Sequence, residues 1–326
     1  MINCAFIGMG LIGQKRLDAV EKLKLDISFI VDPDINPKDS IYKKYSVFKN
    51  INEVPLSMKN SISHVFLAVP HFLVKNYLKE ISSGMNILIE KPLGLNFSEA
   101  KEIEKIVKEK NFKISSGFNY RHYSHIQELK KFIAGGNLEN IMSVNFSLSH
   151  GGRPGMEKEW KLTKSKAGGG VIIDPGVHLF DLMFYLFDPN VEIVNTSIRS
   201  MFWENCDVED YALLILEDKE KKIIFNFELN LFSWQNNFEI KVHGKSNEVL
   251  LSGRGGNYGD FSFKSTPRWF WLNQDSVPED KNFGNKDESF MQETKEFCLK
   301  PELLINSSLR DGIKVMELVE NIYSKL

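Results

Sequence analysis

Polar side chains in two otherwise apolar stretches have the residue types needed for acid–base chemistry. Asp174, His178 and Asp181 follow one another at intervals of four and three positions, so on a helix they would share one face. A histidine with an ordinary pKa near 6.5 can accept and release a proton around neutral pH. Lys91 precedes a proline at the end of a short apolar run, where its ammonium group would reach a substrate oxygen. Taken singly, such residues are more often a core histidine and a surface lysine.

A glycine turn near the N-terminus has the spacing of a dinucleotide-binding motif. The segment reads Gly8-Met9-Gly10-Leu11-Ile12-Gly13, directly after an apolar run and at the start of a helical pattern. Gly8 would permit a tight turn, Gly10 would let the backbone approach a pyrophosphate, and Gly13 would allow helix and strand to pack closely. The N-terminus of the helix, with the backbone of Leu11 and Ile12, would then face the phosphates.

Asp32 ends the next apolar run, about 20 residues beyond the glycine turn, where a carboxylate can accept hydrogen bonds from an adenine ribose. A carboxylate at this position would repel the 2′-phosphate of NADP. The next residues, Pro33 and Asp34, bring no cation to offset that repulsion. We therefore predict NAD as the cofactor, in preference to NADP. The alternative is that Asp32 only caps a turn before Pro33.

Two different patterns of apolar residues predict the helices and strands that position these side chains. Short apolar runs alternate with helical patterns in the first part of the chain, which is typical of parallel βαβ units. These runs are Asn3–Ile7, Ile27–Val31, Ser63–Ala68, Asn86–Ile89 and Lys113–Ser116. After a helix beginning near Ser124, longer alternating segments predict a mostly antiparallel sheet. These segments are Met142–Ser149, Val191–Phe202, Tyr211–Leu216, Lys222–Leu231 and Phe238–Gly244. We predict an α/β Rossmann domain over residues 1–121 and an α+β domain with a large, open, mostly antiparallel sheet over 122–326.

The composition narrows the class of partner. The 326 residues are 42% hydrophobic and 26% charged, with a formal net charge of −2, so no strong field favours a polyanion and we expect no nucleic-acid partner. We find no apolar run near the roughly 18 to 20 residues that span a bilayer and no signal peptide, so we expect a cytoplasmic protein without a membrane partner. Cys4, Cys206 and Cys298 are expected to be buried thiols. His122 and His125 lack a third ligand at suitable spacing, so no metal site is predicted.

Five motifs, taken in order, resemble the Gfo/Idh/MocA oxidoreductases, the group that includes glucose–fructose oxidoreductase and inositol dehydrogenase. They are the glycine turn, Ala68-Val69-Pro70-His71, Glu90-Lys91-Pro92-Leu93, Gly117-Phe118-Asn119-Tyr120-Arg121, and Gly-Gly-Gly-x-x-x-Asp-x-Gly-x-His-x-x-Asp at 168–181. The resemblance covers essentially the whole chain. It implies NAD(P)-linked transfer of a hydride to or from a carbinol carbon of a sugar, cyclitol or nucleotide sugar. It also implies a homodimer or homotetramer formed through the C-terminal sheet.

The resemblance further implies roles for individual residues. Lys91 matches the catalytic lysine, His178 the acid/base histidine, and Asp174 a carboxylate that binds substrate or orients the site. A base is needed because a hydride leaves a carbinol carbon as its hydroxyl proton is removed, and either Lys91 or His178 could be that base. Cofactor contacts are implied for Ala68, Pro70, His71, Glu90, Lys91, Asn119 and Trp160. Arg121 is implied at the substrate, although it could instead tie the two domains by a salt bridge.

Three further stretches carry predictions of their own. Arg153, in a glycine-rich loop, is predicted to bind an anionic group of the substrate such as a carboxylate or phosphate. The glycine-rich stretch 253–259 has no strand–helix context and is predicted to be a mobile loop. The stretch 264–271 mixes cations with aromatic rings. Such a mixture suits a sugar or a nucleotide, but we favour a subunit interface.

Two other functions are compatible with the same fold. A regulator or sensor that binds NAD(P) without turnover would not need Lys91 and His178, so their presence argues against it. An enzyme that recycles bound NAD during elimination or glycoside cleavage would need both residues. The sequence does not separate that enzyme from a dehydrogenase.

Overall fold

The structure, a computed structural model, describes residues 2–36, 43–203, 206–272, 277–300 and 308–325. The chain divides into two compact units. The first unit comprises residues 1–119 and 290–317, and the second comprises 120–289 and 318–326. A late segment of the chain therefore belongs to the first unit, whereas the sequence suggested two consecutive domains. Hydrophobic patterning reports which face of a helix is buried but not which sheet covers it.

Six parallel strands form the sheet of the first unit, in the order β3-β2-β1-β4-β5-β6. They are β1 (Asn3–Ile7), β2 (Asp26–Val31), β3 (Ser46–Phe48), β4 (His64–Leu67), β5 (Asn86–Glu90) and β6 (Lys113–Gly117). The strand order reverses between β1 and β4, and ligands of such sheets bind beside the carboxyl ends at this switch point. Five strands were predicted; β3, three residues long and without a buried residue, was not.

Helices connect these strands: α1 (Leu11–Lys22), α2 (Leu56–Ser61), α3 (Val74–Glu80) and α4 (Phe97–Lys110). The core beneath them includes residues of the late segment. The rings of Phe6 and Phe66 stack with centroids 4.8 Å apart, and Phe297 meets Phe66 edge-on at 5.3 Å. Cys4 and Cys298 are buried in this core as predicted. Their mutual hydrogen bond and their burial raise the pKa of the Cys298 thiol.

Eight strands form the sheet of the second unit, in the order β14-β13-β12-β11-β7-β10-β9-β8. They are β7 (Ser143–Ser149), β8 (Glu192–Arg199), β9 (Tyr211–Asp218), β10 (Ile223–Asn230), β11 (Asn237–His243), β12 (Asn247–Ser252), β13 (Ser262–Pro267) and β14 (Glu279–Asn282). The neighbours β7 and β10 are parallel and the other pairs are antiparallel, which confirms the predicted mostly antiparallel sheet. The last three strands were not predicted.

The helices of this part of the chain are α5 (Ser124–Ala134), α6 (Lys164–Ala167) and α7 (Val177–Phe187), followed by α8 (Ser289–Leu299) and α9 (Leu309–Tyr323). Helix α7 is buried on nearly all sides, and its Phe180 contacts Phe227 of β10 with ring centroids 5.1 Å apart. Residues of β9 alternate between buried and less buried positions. One face of the sheet therefore packs into the core and the other is more exposed.

The helical segments from Lys164 to Phe187 contain an 18-residue window with a mean hydropathy of 1.4, so they are long and apolar enough to cross a membrane by length and composition. This differs from the prediction that no apolar stretch approaches the length needed to span a bilayer. Within this window, 83% is buried inside the protein, as in a core helix.

The glycine-rich stretch 253–259 is a hydrogen-bonded connection between β12 and β13. Gly255 N donates to Gly259 O at 2.9 Å. The Gly253 carbonyl accepts a hydrogen bond from Nε2 of the buried His125 at 2.8 Å, and burial lowers the pKa of this histidine to about 3. The stretch joins two strands, so it lacks the strand–helix context of a phosphate-binding turn, as predicted. Its mobility stays a prediction.

Candidate functional site

The glycine turn follows β1, and packing explains two of its three glycines. Gly8 has a φ of +92°, in the left-handed region, and a Cβ there would lie 2.5 Å from the Ala68 carbonyl oxygen at the end of β4. A Cβ at Gly13 would lie 2.1 Å from the Gly8 carbonyl oxygen. Any larger residue at either position would therefore push the turn away from the sheet.

Gly10 has no such internal cause. Its φ is −63°, which every amino acid adopts, and no protein atom lies within 4 Å of a Cβ built on it. All the remaining glycines in the described ranges have either a positive φ or a close protein neighbour at the Cβ position. Gly10 caps α1, whose first turn carries no acidic side chain. Its backbone thus offers the open approach to a helix N-terminus that a pyrophosphate needs.

Asp32 holds the glycine turn through its carboxylate. Met9 N donates to Oδ2 at 2.6 Å and Asp34 N donates to Oδ1 at 2.8 Å. The second bond is the turn cap that was the alternative reading of Asp32, while the first ties the turn to the end of β2. Carboxylate oxygens accept more than one hydrogen bond, so both roles leave acceptor capacity for a ribose hydroxyl.

Three predicted cofactor residues lie at the carboxyl end of β4. Ala68 N donates to the Ile7 carbonyl of β1 at 2.8 Å, which places it beside the glycine turn. Pro70 and His71 begin a short 3-10 turn, and His71 is 5% exposed. Asn119, also predicted, is 5% exposed just after β6.

The Glu90–Lys91 corner ends β5. Glu90 is a predicted cofactor contact. Its Oε1 accepts a hydrogen bond from Nε of Arg16 at 2.8 Å and forms an ion pair with a terminal nitrogen of Arg16, also at 2.8 Å. Arg16 is fully buried in α1 and also pairs with Glu293 of α8 at 2.5 Å. Burial acts to lower the pKa of Arg16, but the two carboxylates outweigh it and the pKa is raised. Through its contacts with Arg16, Glu90 therefore stabilises the end of β5. The next residue, Lys91, is half-buried.

In the second unit, His178 is the second residue of α7 and is 4% exposed. Its ring stacks face to face on Tyr120, with centroids 3.7 Å apart and planes 4° apart. This packing fixes the plane of the imidazole. Tyr120 belonged to a quoted motif but was not selected as a site residue, because a pattern does not show which ring it meets.

The prediction that Asp174 shares a helical face with His178 and Asp181 was wrong. Asp174 has non-helical angles, φ −138° and ψ 103°, before Pro175, and α7 begins at Val177. Proline lacks the N–H that a helix interior requires, so Asp174 lies in an irregular segment ahead of the helix.

Asp174 instead lines a cavity of about 120 Å³ in the second unit. Its Oδ2 lies 2.7 Å from Nζ of Lys161, and its charge raises the pKa of Lys161 although burial opposes the rise. Burial lowers the pKa of His150 in the same cavity. Arg153, the predicted anion ligand, also lines it and pairs with Glu159 at 2.7 Å. His150 was missed as a site residue, because its approach to this cavity is purely tertiary.

Two other predicted residues have a different setting. Arg121 is 4% exposed and donates from Nε to Asp181 at 2.8 Å, with a second bond from its terminal nitrogen. This bidentate salt bridge lies inside the second unit, whereas the alternative role suggested for Arg121 was a salt bridge between the domains. Trp160 begins a short 3-10 turn before α6. Within the described ranges, no group of three or more histidine, cysteine or acidic side chains could hold a metal ion.

The order of the parallel sheet and the glycine turn at its carboxyl edge define a Rossmann fold of the dinucleotide-binding type. Two family models match successive parts of the chain. The oxidoreductase family with an NAD-binding Rossmann fold matches residues 2–118, and the GFO/IDH/MocA C-terminal domain matches residues 126–249. The chain belongs to the Gfo/Idh/MocA family of oxidoreductases, as its motifs indicated.

Several proteins similar to this chain have names that refer to sugars or cyclitols. Glucose-6-phosphate 3-dehydrogenase of Bacillus subtilis is 26% identical over 236 residues, 69% of this chain and 66% of that protein. The scyllo-inositol 2-dehydrogenase (NADP(+)) of the same organism is 26% identical over 178 residues, 54% of this chain and 48% of that protein. The matches thus span about half to two thirds of these relatives. A solved structure of levoglucosan dehydrogenase with NADH and levoglucosan has a TM-score of 0.82 at 18% identity, covering 100% of this chain and 98% of that one, which shows a common fold.

Proposed function

We propose that this protein is an NAD-dependent oxidoreductase that transfers a hydride to or from a carbinol carbon of a sugar, cyclitol or nucleotide sugar. The observation that carries the proposal is Gly10, a glycine that the protein's own packing does not require. A dinucleotide at this helix N-terminus would explain it. Bound nicotinamide would supply the hydride chemistry that no side chain can. The named relatives support a sugar or cyclitol as substrate.

The proposed roles of the protein's own residues follow from their chemistry. His178 takes the hydroxyl proton during oxidation and returns it during reduction, and its stacking on Tyr120 keeps the ring in one plane. Lys91 stabilises negative charge on the reacting oxygen. Asp174, held by Lys161, accepts hydrogen bonds from substrate hydroxyls.

Substitution of the two proposed catalytic residues tests this assignment. We expect Lys91→Met and His178→Asn each to lower kcat by about 100-fold or more, because general acid–base catalysis contributes about 10²–10⁴-fold. The NADH dissociation constant should stay within about twofold. His243→Asn is the matched control, since His243 lies on β11 in an ion pair with Glu248. Near-normal turnover in both variants would contradict the assignment.

The absorbance of NADH during turnover distinguishes the competing functions. A net change with a sugar or cyclitol supports a dehydrogenase. Product without net change would indicate recycled NAD, and NADH binding without any reaction across a sugar panel would indicate a sensor.

The preference for NAD rests on the Asp32 carboxylate, which would repel the 2′-phosphate of NADP. We expect NADH to bind at least about tenfold more tightly than NADPH, and Asp32→Ser to narrow this ratio. The relatives include an enzyme named for NADP(+) and one solved with NADH, so direct titration of both nucleotides is the decisive measurement. Tighter binding of NADPH by the unaltered protein would refute the preference.

We also propose a homodimer or homotetramer formed through the exposed face of the eight-stranded sheet. Val194, Leu213 and Ile224 are 58%, 39% and 43% exposed on β8, β9 and β10. A cluster of exposed apolar side chains on a sheet suits a subunit contact. Light scattering should give a multiple of the 37.5 kDa chain mass, and Ile224→Glu should reduce it. The cytoplasmic location stays a prediction.

A further inference from the structure

Arg254 is an unusual cation in the second unit. It lies in the connection between β12 and β13, with its guanidinium carbon 3.8 Å from the ring centroid of Tyr258 and 5.3 Å from that of Tyr120. Burial lowers the pKa of Arg254, although Tyr258 opposes the change. The side chain is half-buried and packed on aromatic faces.

Carboxylates compensate the two buried arginines, Arg16 and Arg121, but not the half-buried Arg254. Arg16 pairs with Glu90 and Glu293, and Arg121 is held at two points by Asp181. Within the described residues, no carboxylate lies within ion-pair distance of Arg254. Asp287 acts on it over a longer distance, but its Oδ1 already accepts bonds from the backbone and hydroxyl of Ser289. A desolvated charge without a close counter-ion is costly unless a ligand supplies one.

Arg254 also lies close to the proposed catalytic histidine. The Tyr120 ring that it contacts is the ring on which His178 stacks. Asp174 acts electrostatically on Tyr258, whose pKa is raised by burial and by that charge. The cations of the neighbouring cavity are already matched, since Lys161 pairs with Asp174 and Arg153 pairs with Glu159. Unlike Lys161 and Arg153, Arg254 has no carboxylate within ion-pair distance among the described residues.

We propose that Arg254 binds an anionic group of the substrate, so that the substrate class is a sugar carrying a carboxylate or a phosphate. This inference rests on the proposed function. Stacking uses the faces of the guanidinium, and Tyr258 takes a side-chain hydrogen bond from it. A guanidinium has five N–H donors, so the remaining ones can donate in its plane, the geometry that matches carboxylate and phosphate oxygens. The predicted anion contact thus moves from Arg153, which is exposed and pairs with Glu159, to Arg254, which is half-buried and has no close carboxylate partner in the described part of the chain.

Calorimetric titration tests the anion site without requiring turnover. The probes are glucuronate, glucose 6-phosphate and glucose, each titrated in the presence of NADH into the unaltered protein and three variants. Arg254→Met removes the charge, and Arg254→Lys keeps it without the planar fork. Arg268→Met is the matched control, because Arg268 also packs on an aromatic ring, at 5.5 Å from Trp269. Thermal unfolding of every variant confirms that it is folded.

We expect at least one anionic sugar to bind the unaltered protein about tenfold or more tightly than glucose. Arg254→Met should remove that advantage, Arg254→Lys should retain part of it, and Arg268→Met should keep it. Whether glucuronate or glucose 6-phosphate binds more tightly separates carboxylate from phosphate. The inference is overturned if neither anionic sugar is favoured, or if the advantage survives Arg254→Met. Charge-dependent binding without hydride transfer would instead contradict the proposed function and leave the anion site in place.

Discussion

Substitution of Gly10 by alanine should separate cofactor binding from folding. The backbone at this position is φ −63°, ψ −171°, and the new methyl group would meet no protein atom within 4 Å. Alanine is a poorer helix cap than glycine by up to about 1 kcal/mol. It also restricts the unfolded chain, which stabilises by about 0.4–1 kcal/mol. The two effects oppose each other, so the free energy of unfolding should change by less than about 1 kcal/mol.

The effect on NADH should be much larger. If a pyrophosphate approaches the backbone at Gly10, the methyl group enters occupied space, and overpacking of this kind costs about 1–3 kcal/mol. That cost corresponds to a loss of affinity of about 5- to 150-fold. Titration of NADH fluorescence measures the affinity, and urea denaturation measures the stability.

Gly13→Ala is the contrasting variant. Its Cβ would lie 2.1 Å from the Gly8 carbonyl oxygen, so we expect it to lose stability as well as affinity. An unchanged dissociation constant for NADH in a folded Gly10→Ala protein would refute the reasoning, because the open space above Gly10 would then have no connection with the cofactor.

Two further predictions concern the stability of the protein and its buried ionisable side chains. Arg121→Met removes the bidentate partner of buried Asp181 and should cost about 3–5 kcal/mol in the free energy of unfolding; a loss below about 1 kcal/mol in urea denaturation would contradict this. Burial lowers the pKa of His64 to about 4 and of His125 to about 3. Their unfolded forms take up protons below about pH 6.5, so stability should fall from there toward pH 4, by up to about 1.4 kcal/mol per pH unit for each histidine. His64→Leu should flatten that slope, and an equal slope in the variant would exclude His64 as a cause.

Much of the first unit could be predicted because its signals are local. A buried parallel strand is a continuous apolar run, and a glycine turn must follow it directly if it is to meet a phosphate. The strands that escaped prediction lack this signal. Strand β3 has no buried residue, and β14 is a run of four charged or polar residues, Glu279–Asn282, recruited by pairing with β13. Strand pairing, not side-chain character, makes them strands.

The candidate site was less accessible to sequence reasoning. His178 and Lys91 could be identified by residue type and motif, but their surroundings could not. Asp174 does not lie on the predicted helical face, because it precedes Pro175 and the regular helix begins only after that proline. The partners Lys161 and Tyr120 reach Asp174 and His178 through folding alone. Spacing along the chain therefore identified reactive groups and not the contacts that tune them.

The late segment of the first unit has a practical consequence for dissection of the protein. Arg16 neutralises both Glu90, just before Lys91, and Glu293, and Phe297 fills the core beside Phe66. A fragment that stops after β6 would lose Glu293 and Phe297 and leave a cavity beneath the nucleotide-binding sheet. A fragment meant to keep the contacts of this unit would therefore have to carry residues 290–317 in addition to the first 119.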